Sequence, residues 1–364
     1  MNTFGVADRL SRRAMLVGAT RWTLCAAGLV VASGCGSVPR PSGAIGSRLE
    51  TTTIRLRREV TCTSVADVAD GLLHAEGFTD VQWMKPGTTV EGWDRLAAGN
   101  LDIAVVFVPP LLIRIAAGAP IVFLAGFHPG CVELFGNEHV QAIRDLKGKS
   151  VGINEPGGAG QTFAAMIAAY VGLDPASDIN WVVLPNSEAE RARFLVDGKV
   201  DAYVAFPWAE YEIRASGIGH VVVSTMADRP WSQHYCCMVA GNRDFVLRNP
   251  VATMRAARAL LNAADYSVRE PEGTARMLVD SGDVPRYDYE LQLLNDLPHG
   301  WWHEYDPEDS VRFYALRLRD AGMISTSPEK LVAEATDWRF LNAIKAESTI
   351  PAASAPFVCP RPLV

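Results

Sequence analysis

The sequence predicts an α/β protein with two rounds of strands and helices and a helical C-terminal region. From residue 52 to residue 240, short runs rich in β-branched and aromatic residues alternate with segments of helical periodicity, which favours largely parallel sheets. Residues 243–345 show helical periodicity almost throughout. The length of 364 residues suits about two domains, and a hydrophobic content of 49% excludes a largely disordered chain.

The first round begins with a strand of alternating residues at Thr53–Val60. A helix is predicted over Ser64–Gly77 because apolar residues recur at helical spacing and a glycine ends the pattern. Leu101–Phe107 is a continuous apolar run, which is typical of a parallel strand buried on both faces. Proline begins and glycine ends the helix predicted for Pro109–Gly118. The other elements of this round are strands at 81–84 and 120–126 and a helix at 91–99.

The second round opens with a short strand at Val151–Ile153 and a glycine-rich turn at Gly157–Gly160. We expect the chain to cross between two lobes after Val140 and again around Ser232–Ala240, and a cleft between lobes is a common place for a small ligand. The later strands lie at 181–184, 201–206, 220–224 and 235–240, and the helices between them at 161–172, 187–198 and 209–217. The C-terminal helices lie at 243–268, 271–281, 287–296, 309–321 and 327–345.

Charge and cysteine content exclude two classes of protein. The formal net charge is −7, and an acidic chain is a poor candidate for binding nucleic acid because such binding depends on Lys and Arg that neutralise phosphates. Seven cysteines in 364 residues are too few for a disulfide-stabilised scaffold.

Residues 1–34 have the pattern of an export signal. Arginines at positions 9, 12, 13 and 21 precede an apolar run over Trp22–Ala32, which is too short to span a bilayer but suits a signal peptide. Ser11–Leu16 is similar to a twin-arginine export motif, although two adjacent arginines also occur in ordinary basic leaders. The sequence therefore predicts an exported protein that acts in the periplasm or at the cell surface.

The leader ends in Ala32-Ser33-Gly34-Cys35, which resembles the lipobox of bacterial lipoproteins. The resemblance implies that Cys35 is lipidated and becomes the new N-terminus, while ordinary cleavage nearby is the alternative. Residues 35–51 are rich in Gly, Ser and Pro, which predicts a flexible tether. The prediction is thus a soluble protein held at the membrane by a lipid.

Two sets of motifs carry a resemblance to a known family. The first is Asp145-Leu-Lys-Gly-Lys-Ser-Val-Gly-Ile153 followed by the glycine-rich turn and Val171-Gly-Leu-Asp-Pro175. The second is the pair of phrases Leu96-Ala-Ala-Gly-Asn-Leu-Asp102 and Leu195-Val-Asp-Gly-Lys-Val-Asp201. Over residues 52–345 the chain resembles the substrate-binding proteins of nitrate/sulfonate/taurine-type (NitT/TauT) ABC importers, which share the NMT1/THI5-like fold.

The resemblance implies a type II periplasmic-binding-protein fold, with a ligand cleft between two lobes and a helical C-terminal region. It also implies a monomer that binds a small molecule and delivers it to an ABC permease and ATPase, without a cofactor or an enzymatic reaction. A sensing role beside a membrane receptor and a pyrimidine-synthase-like enzyme are the alternatives. The expected division is a signal at 1–34, a tether at 35–51, lobe one at 52–143 plus 238–345, lobe two at 144–237 and a loose tail at 346–364.

The glycine-rich turn is the first candidate for ligand contact. A turn between a strand and a helix leaves N–H groups at the positive end of the helix dipole, which suits an anion. The absence of a following Gly-Lys-Ser/Thr distinguishes it from a phosphate-binding P-loop. An ordinary turn is the alternative. The candidate residues here are Gly158, Ala159, Gly160 and Gln161.

Further candidates follow other strands, where ligands bind in open parallel sheets. Thr63 and Ser64 end the first strand, although Ser64 also suits a helix cap, and Phe107 ends the third strand. Aromatic side chains at Phe206, Trp208, Trp231 and Tyr235 could form a wall of the cleft or pack in the core. Together the anion-binding turn and the aromatic residues predict a small organic ligand with an acidic or heteroaromatic group.

The segment Phe127–Glu133 contains His128, Cys131 and Glu133, which raises the question of a metal. Because it offers no close pair of ligands such as Cys-x-x-Cys, we predict that it carries no metal and that His128 lines the ligand cleft. The sequence leaves disulfide pairing open among Cys62, Cys131, Cys236, Cys237 and Cys359.

Overall fold

The computed structural model describes residues 48–58, 61–84, 87–185, 188–207, 209–217, 219–282 and 284–348. They belong to one compact unit that starts at Ile45. Residues 1–34, Cys35, Trp208 and Cys359, to which the sequence assigns roles, lie outside this range. None of the helices in the described ranges combines the length and the apolarity that a membrane span requires.

Ten strands form three sheets within the described residues. The strands are β1 (Thr53–Arg57), β2 (Asp80–Met84), β3 (Ile103–Phe107), β4 (Ile121–Pro129), β5 (Glu133–Gly136), β6 (Lys149–Ile153), β7 (Ile179–Val183), β8 (Ala202–Ala205), β9 (His220–Ser224) and β10 (Tyr235–Asn242). β1 and β2 form a parallel pair. The sheet with the order β3-β10-β4 is called here the first sheet, and the sheet with the order β7-β6-β8-β5-β9 is called the second sheet.

The helices cover both sheets and dominate the C-terminal half. They are α1 (Asp70–Ala75), α2 (Thr89–Ala97), α3 (Val108–Ala116), α4 (Ala159–Tyr170), α5 (Glu188–Val196), α6 (Ala209–Ser216), α7 (Arg243–Arg248), α8 (Pro250–Arg269), α9 (Pro271–Asp280), α10 (Tyr287–Asp296), α11 (Pro307–Asp320), α12 (Pro328–Ala335) and α13 (Arg339–Ser348). Short 3₁₀ helices lie at Thr61–Ala69, Ile143–Leu146, Trp231–Gln233 and His299–His303. After β10, the described chain forms no further strand, as the sequence predicts.

The first sheet has a returning strand at its centre. β10 runs antiparallel to both β3 and β4, and all three strands are buried along their whole length. Burial on both faces explains why these strands are continuous apolar runs in the sequence. The prediction of largely parallel sheets holds for β1 with β2 and for β6 with its two neighbours, but not for β10.

The second sheet contains a strand that the sequence analysis treats as a loop. β5 is only four residues long and pairs antiparallel with β8 and β9. The chain therefore enters the second sheet at Glu133, earlier than the predicted boundary at residue 144, and returns to the first sheet at Tyr235. The two crossings are the segments between β4 and β5 and between β9 and β10.

Three helices differ from the continuous α-helices that the sequence predicts. The segment predicted as Ser64–Gly77 begins as a 3₁₀ helix and becomes α-helical only at Asp70. The predicted helix at 243–268 is interrupted at Asn249 because Pro250 cannot donate a backbone hydrogen bond. The predicted helix at 327–345 is interrupted where Thr336 forms an isolated parallel bridge to Phe123.

The two Leu-x-x-Gly-x-x-Asp phrases each end a helix and anchor the strand that follows. Gly99 and Gly198 end helices with φ values of +73° and +68°, which favour glycine. Asp102 accepts hydrogen bonds from the Arg55 backbone N–H at 2.8 Å and from its guanidinium group, and so joins β1 to β3. Asp201 accepts the backbone N–H and the hydroxyl of Ser150 at 2.9 Å each. Both aspartates are thus turn residues that hold neighbouring strands together.

The ends of the fold extend slightly beyond the predicted limits. Glu50, in the predicted tether, accepts hydrogen bonds at 3.0 Å from the N–H groups of Val251 and Ala252 at the start of α8. A carboxylate at this position also interacts favourably with the helix dipole. At the other end, α13 continues to Ser348, three residues into the predicted tail.

Candidate functional site

The candidate site lies where the ends of strands from both sheets meet. Phe107 closes β3 in the first sheet and Phe206 follows β8 in the second, and their rings pack edge to face with centroids 5.4 Å apart. The Thr89 N–H donates to Glu155 Oε1 at 3.1 Å, which links the start of α2 to the loop after β6. We call this region the facing edge, and it is defined by Phe107, Gly160 and Phe206, with Glu210 one helical turn after Phe206.

Ser64 forms a hydrogen bond with a buried carboxyl group. Its hydroxyl donates to Glu290 Oε1 at 2.8 Å, and both residues have no exposed surface. Thr63 beside it is also buried. Thr63 and Ser64 are predicted from the sequence as ligand contacts, whereas Glu290, which lies on α10 226 positions from Ser64, is not. In the structure, Ser64 pairs with this carboxyl group.

Glu210 is a second buried carboxyl group that the sequence analysis missed. It lies in the first turn of α6 after β8, is 1% exposed, and its Oε1 has no hydrogen-bond partner among the described residues. Burial and the neighbouring charge of Glu133 raise its pKa well above the usual value. Both effects favour the protonated form of Glu210. Its position beyond the end of a strand is the signal by which it could have been found.

Two further side chains complete the acidic environment of Glu210. Glu133 at the start of β5 is 3% exposed and forms an ion pair with Arg214, whose side chain is 46% exposed. The Tyr211 hydroxyl donates to Asp296 Oδ2 at 3.1 Å. Burial and the nearby carboxylate of Asp296 raise the pKa of Tyr211 above its usual value. The tyrosine therefore stays a hydrogen-bond donor throughout the physiological pH range.

The glycine-rich turn presents backbone donors at the start of α4. Gly157 has a φ of +69°, and its N–H donates to Gln161 Oε1 at 2.7 Å. The N–H groups of Ala159, Gly160 and Gln161 have no hydrogen-bond partner within the described ranges, as expected for the first turn of a helix. A Cβ on Gly160 would lie 3.3 Å from Val204 and 3.5 Å from Phe206, so the turn is close to the aromatic pair.

The remaining candidates lie away from the Phe107–Phe206 contact or are packed. Trp231 is 2% exposed and packs edge to face on Tyr170 and Phe313. Tyr235 has no exposed surface, and its hydroxyl donates to the Trp301 carbonyl at 2.9 Å. His128 is fully buried among cysteine side chains near the first crossing. The structure thus brings together the candidates at the facing edge but not Trp231 and Tyr235.

Two hollows lie near the candidate residues. One of about 410 Å³ is bordered by Gly157 and Gln161 together with Arg114 and Trp181. Another of about 630 Å³ lies beside the second crossing, bordered among others by Arg229, Gln233 and Trp301. At the facing edge itself the side chains of the two sheets are in contact, so a ligand between Phe107 and Phe206 requires the sheets to separate.

The model of the NMT1-like family matches residues 58–279, which is more than half of the chain. The chain belongs to the NMT1-like family. No curated protein matches the chain. The family match includes every strand from β2 to β10 and both crossings.

Solved structures of binding proteins share the fold of this NMT1-like chain. The periplasmic nitrate-binding protein of Synechocystis PCC 6803 has a TM-score of 0.68 and 17% identity, over 86% of this chain and 94% of its own. The alkanesulfonate-binding protein of Xanthomonas axonopodis pv. citri, bound to MOPS, has a TM-score of 0.63 and 17% identity over 79% and 99%. The periplasmic sulfonate-binding protein of Methylobacillus flagellatus KT has a TM-score of 0.61 and 17% identity, over 83% of this chain and 96% of its own. The predicted periplasmic-binding-protein fold is confirmed.

Proposed function

We propose that this chain is the extracytoplasmic substrate-binding component of an ABC importer, and that it binds a small organic anion at the facing edge. The observation that carries the proposal is the convergence of the Phe107–Phe206 pair and the first turn of α4 between the two sheets. Its family membership and the binding proteins that share its fold support the same role. A permease and an ATPase are the partners that this role requires.

The two parts of the facing edge suit different parts of one ligand. The N–H groups of Ala159, Gly160 and Gln161 point out of a helix N-terminus, which stabilises negative charge. The aromatic rings offer a flat apolar surface for an organic body. Burial raises the pKa of Glu210, which lowers the repulsion that its carboxyl group would exert on an anion. An acidic or heteroaromatic ligand thus satisfies the donors and the rings together.

A thermal-shift screen tests the proposed function. The panel contains alkyl- and arylsulfonates, carboxylates, pyrimidines and inorganic anions, each at several concentrations. A ligand that binds only the folded state raises Tm with its concentration. We expect at least one organic anion to raise Tm. No shift with any compound, or a shift with inorganic anions alone, would count against the proposal.

Replacing Phe206 by leucine should weaken binding of any compound that the screen identifies. The smaller side chain removes the edge-to-face contact with Phe107, and we expect a loss of about 10-fold in affinity. Phe135→Leu is the matched control, because Phe135 is buried in a separate core of the second sheet. The control should lower Tm but preserve the ligand-induced shift. Equal affinity in the Phe206→Leu variant and the wild type would exclude Phe206 from the site.

We also propose that the protein is anchored to the membrane by a lipid on Cys35. The proposal is supported by the basic leader, the apolar run and the small residues before Cys35, all of which precede the described fold. Cys35→Ala should move the protein from the membrane fraction to the soluble fraction, measured by fractionation and immunoblotting. Cys25→Ala, inside the predicted leader, should leave it in the membrane. Cys35→Ala protein of normal length in the membrane fraction would contradict the anchor.

A further inference from the structure

Four potential metal ligands that are distant in sequence meet at one edge of the first sheet. They come from the 3₁₀ helix after β1, the end of β4, the turn after β4 and the start of β10. Because β10 runs antiparallel to β4, its beginning lies beside the end of β4. The group is called here the Cys₃His cluster, and its members are Cys62, His128, Cys131 and Cys237.

The Cys₃His cluster is compact and closed to solvent. One ligand atom from each residue lies within 4.8 Å of each of the others, and all four side chains have no exposed surface. Two ligands of a tetrahedral zinc site lie about 3.5–3.8 Å apart, since Zn–S and Zn–N bonds measure about 2.3 and 2.0 Å. Small rotations of the side chains are therefore sufficient to bring the four atoms to bonding distance from a common centre.

His128 is held in the tautomer that a metal ligand requires. Its Nδ1 lies 3.2 Å from the carbonyl oxygen of Pro129, which can only accept a hydrogen bond, so Nδ1 carries the proton. Nε2 then has a lone pair, and this atom is buried with the Cys62 side chain next to the ring. A carbonyl group that orients the distal nitrogen is the usual outer-shell arrangement of a metal-binding histidine.

Neighbouring groups fix the backbone that carries the cluster. Gly130 adopts a φ of +47°, and a Cβ there would lie 2.5 Å from the Thr225 carbonyl oxygen. The Thr225 hydroxyl accepts the Cys131 N–H at 3.1 Å, and His299 Nε2 donates to the Cys62 carbonyl at 3.0 Å. The turn thus brings Cys131 back towards His128, and the ligands are positioned before any ion binds.

We propose that the Cys₃His cluster binds one Zn²⁺ ion. Three sulfur ligands and one imidazole are a ligand set typical of closed structural zinc sites. The ion would join the 3₁₀ helix Thr61–Ala69 to the end of β4 and the start of β10, where the chain crosses between the sheets. The proposal differs from the inference from sequence that the segment around His128 carries no metal, and two of the four ligands, Cys62 and Cys237, come from outside that segment.

A disulfide is the alternative to a zinc site for these cysteines. The adjacent residues Cys236 and Cys237 distinguish the two alternatives, because the disulfide would use Cys236 and the zinc site uses Cys237. Cys236 Sγ lies 2.9 Å from Cys131 Sγ and 4.0 Å from Cys237 Sγ, because a register shift in β10 turns neighbouring side chains to the same region. The described structure has Cys62, Cys131, Cys236 and Cys237 as free cysteines. The zinc site uses three of them together with His128 and leaves Cys236 outside, whereas a Cys131–Cys236 disulfide would remove one ligand from the cluster.

Metal analysis of the mature chain is the first test. The full chain is expressed in a bacterium that exports it, the mature protein is purified without a reducing agent and dialysed, and its zinc content is measured by elemental mass spectrometry. We expect one zinc per chain, a fall in Tm on treatment with a strong zinc chelator, and thiolate-to-metal charge-transfer bands after exchange with Co²⁺. Less than about 0.1 zinc per chain, together with no uptake of added Zn²⁺ or Co²⁺, would overturn the proposal.

Matched variants at the adjacent cysteines provide the second test. Cys237→Ser and His128→Ala should each weaken zinc binding by more than the roughly 10–100-fold that loss of an outer-shell partner typically causes. Cys236→Ser, the control, should retain one zinc. If a disulfide forms instead, the wild type has a mass two hydrogens below that of its fully reduced form. The Cys236→Ser variant then has its fully reduced mass, whereas the Cys237→Ser variant is still two hydrogens lighter than its own reduced form. That pattern would refute the zinc site, and the wild-type metal content decides the question if a variant does not fold.

Discussion

Replacing Asp102 by alanine should lower the free energy of unfolding by about 2–4 kcal/mol. The carboxylate is 2% exposed and accepts the Arg55 N–H at 2.8 Å as well as its guanidinium group. Without it, the N–H group is left unsatisfied between β1 and β3, and the ion pair is lost. Urea denaturation with an unchanged m-value measures the difference.

Asp94→Ala is the matched control for this prediction. Asp94 forms an ion pair of 3.4 Å with Arg114, but its side chain is 67% exposed. Exposed ion pairs of this kind contribute less than about 1 kcal/mol. A loss of stability in Asp102→Ala no larger than in Asp94→Ala would show that the aspartate of the Leu-x-x-Gly-x-x-Asp phrase does not hold the strands together.

Replacing Glu210 by glutamine should stabilise the protein increasingly as the pH rises. The pKa of Glu210 is raised by burial and by Glu133, so the folded state keeps a proton that the unfolded state releases above pH ~4.3. The contribution of Glu210 to the free energy of unfolding is fully present below that pH. It then falls by about 1.4 kcal/mol per pH unit until the pH reaches the pKa of Glu210 in the folded state. The glutamine variant lacks this loss. We therefore expect the advantage of the variant over the wild type in free energy of unfolding to grow between pH 4.5 and pH 7.

Several charged groups surround Glu210 and are shared by the wild type and the variant. Glu133 and Asp296 oppose its ionisation, whereas Arg214 favours it. Glu190→Gln is the control, because Glu190 is an exposed glutamate on α5, a helix that packs on the second sheet. It should leave the pH dependence unchanged. A constant difference between Glu210→Gln and the wild type across this pH range would mean that Glu210 titrates normally and is not protonated at the facing edge.

The sequence predicts the order of elements well because local signals determine it. Glycines with positive φ end α2 and α5, and the apolar runs of β3 and β10 mark strands buried on both faces. β5 escapes prediction because four residues are too few to show a period and because it starts with a charge. That charge, Glu133, is neutralised by Arg214, which lies 81 positions further along the chain. Only the folded structure brings them together.

The site is predicted in part for the same reason. The ends of strands identify Ser64, Phe107 and Phe206 without any knowledge of their contacts. The Cys₃His cluster escapes prediction because its ligands at 62, 128, 131 and 237 depend on the antiparallel return of β10, and no local spacing connects them. Glu290 is missed likewise, since its pairing with Ser64 spans 226 positions.

The central claim is that a small organic anion binds at the facing edge, and native mass spectrometry of the mature protein as purified tests it most directly. We expect a species heavier than the chain with its zinc, which releases one small organic anion on collisional activation. Phe206→Leu protein should carry less of it, and Phe135→Leu protein should carry as much as the wild type. A mass that the chain and metal account for alone, both as purified and after incubation with the screening panel, would contradict the account.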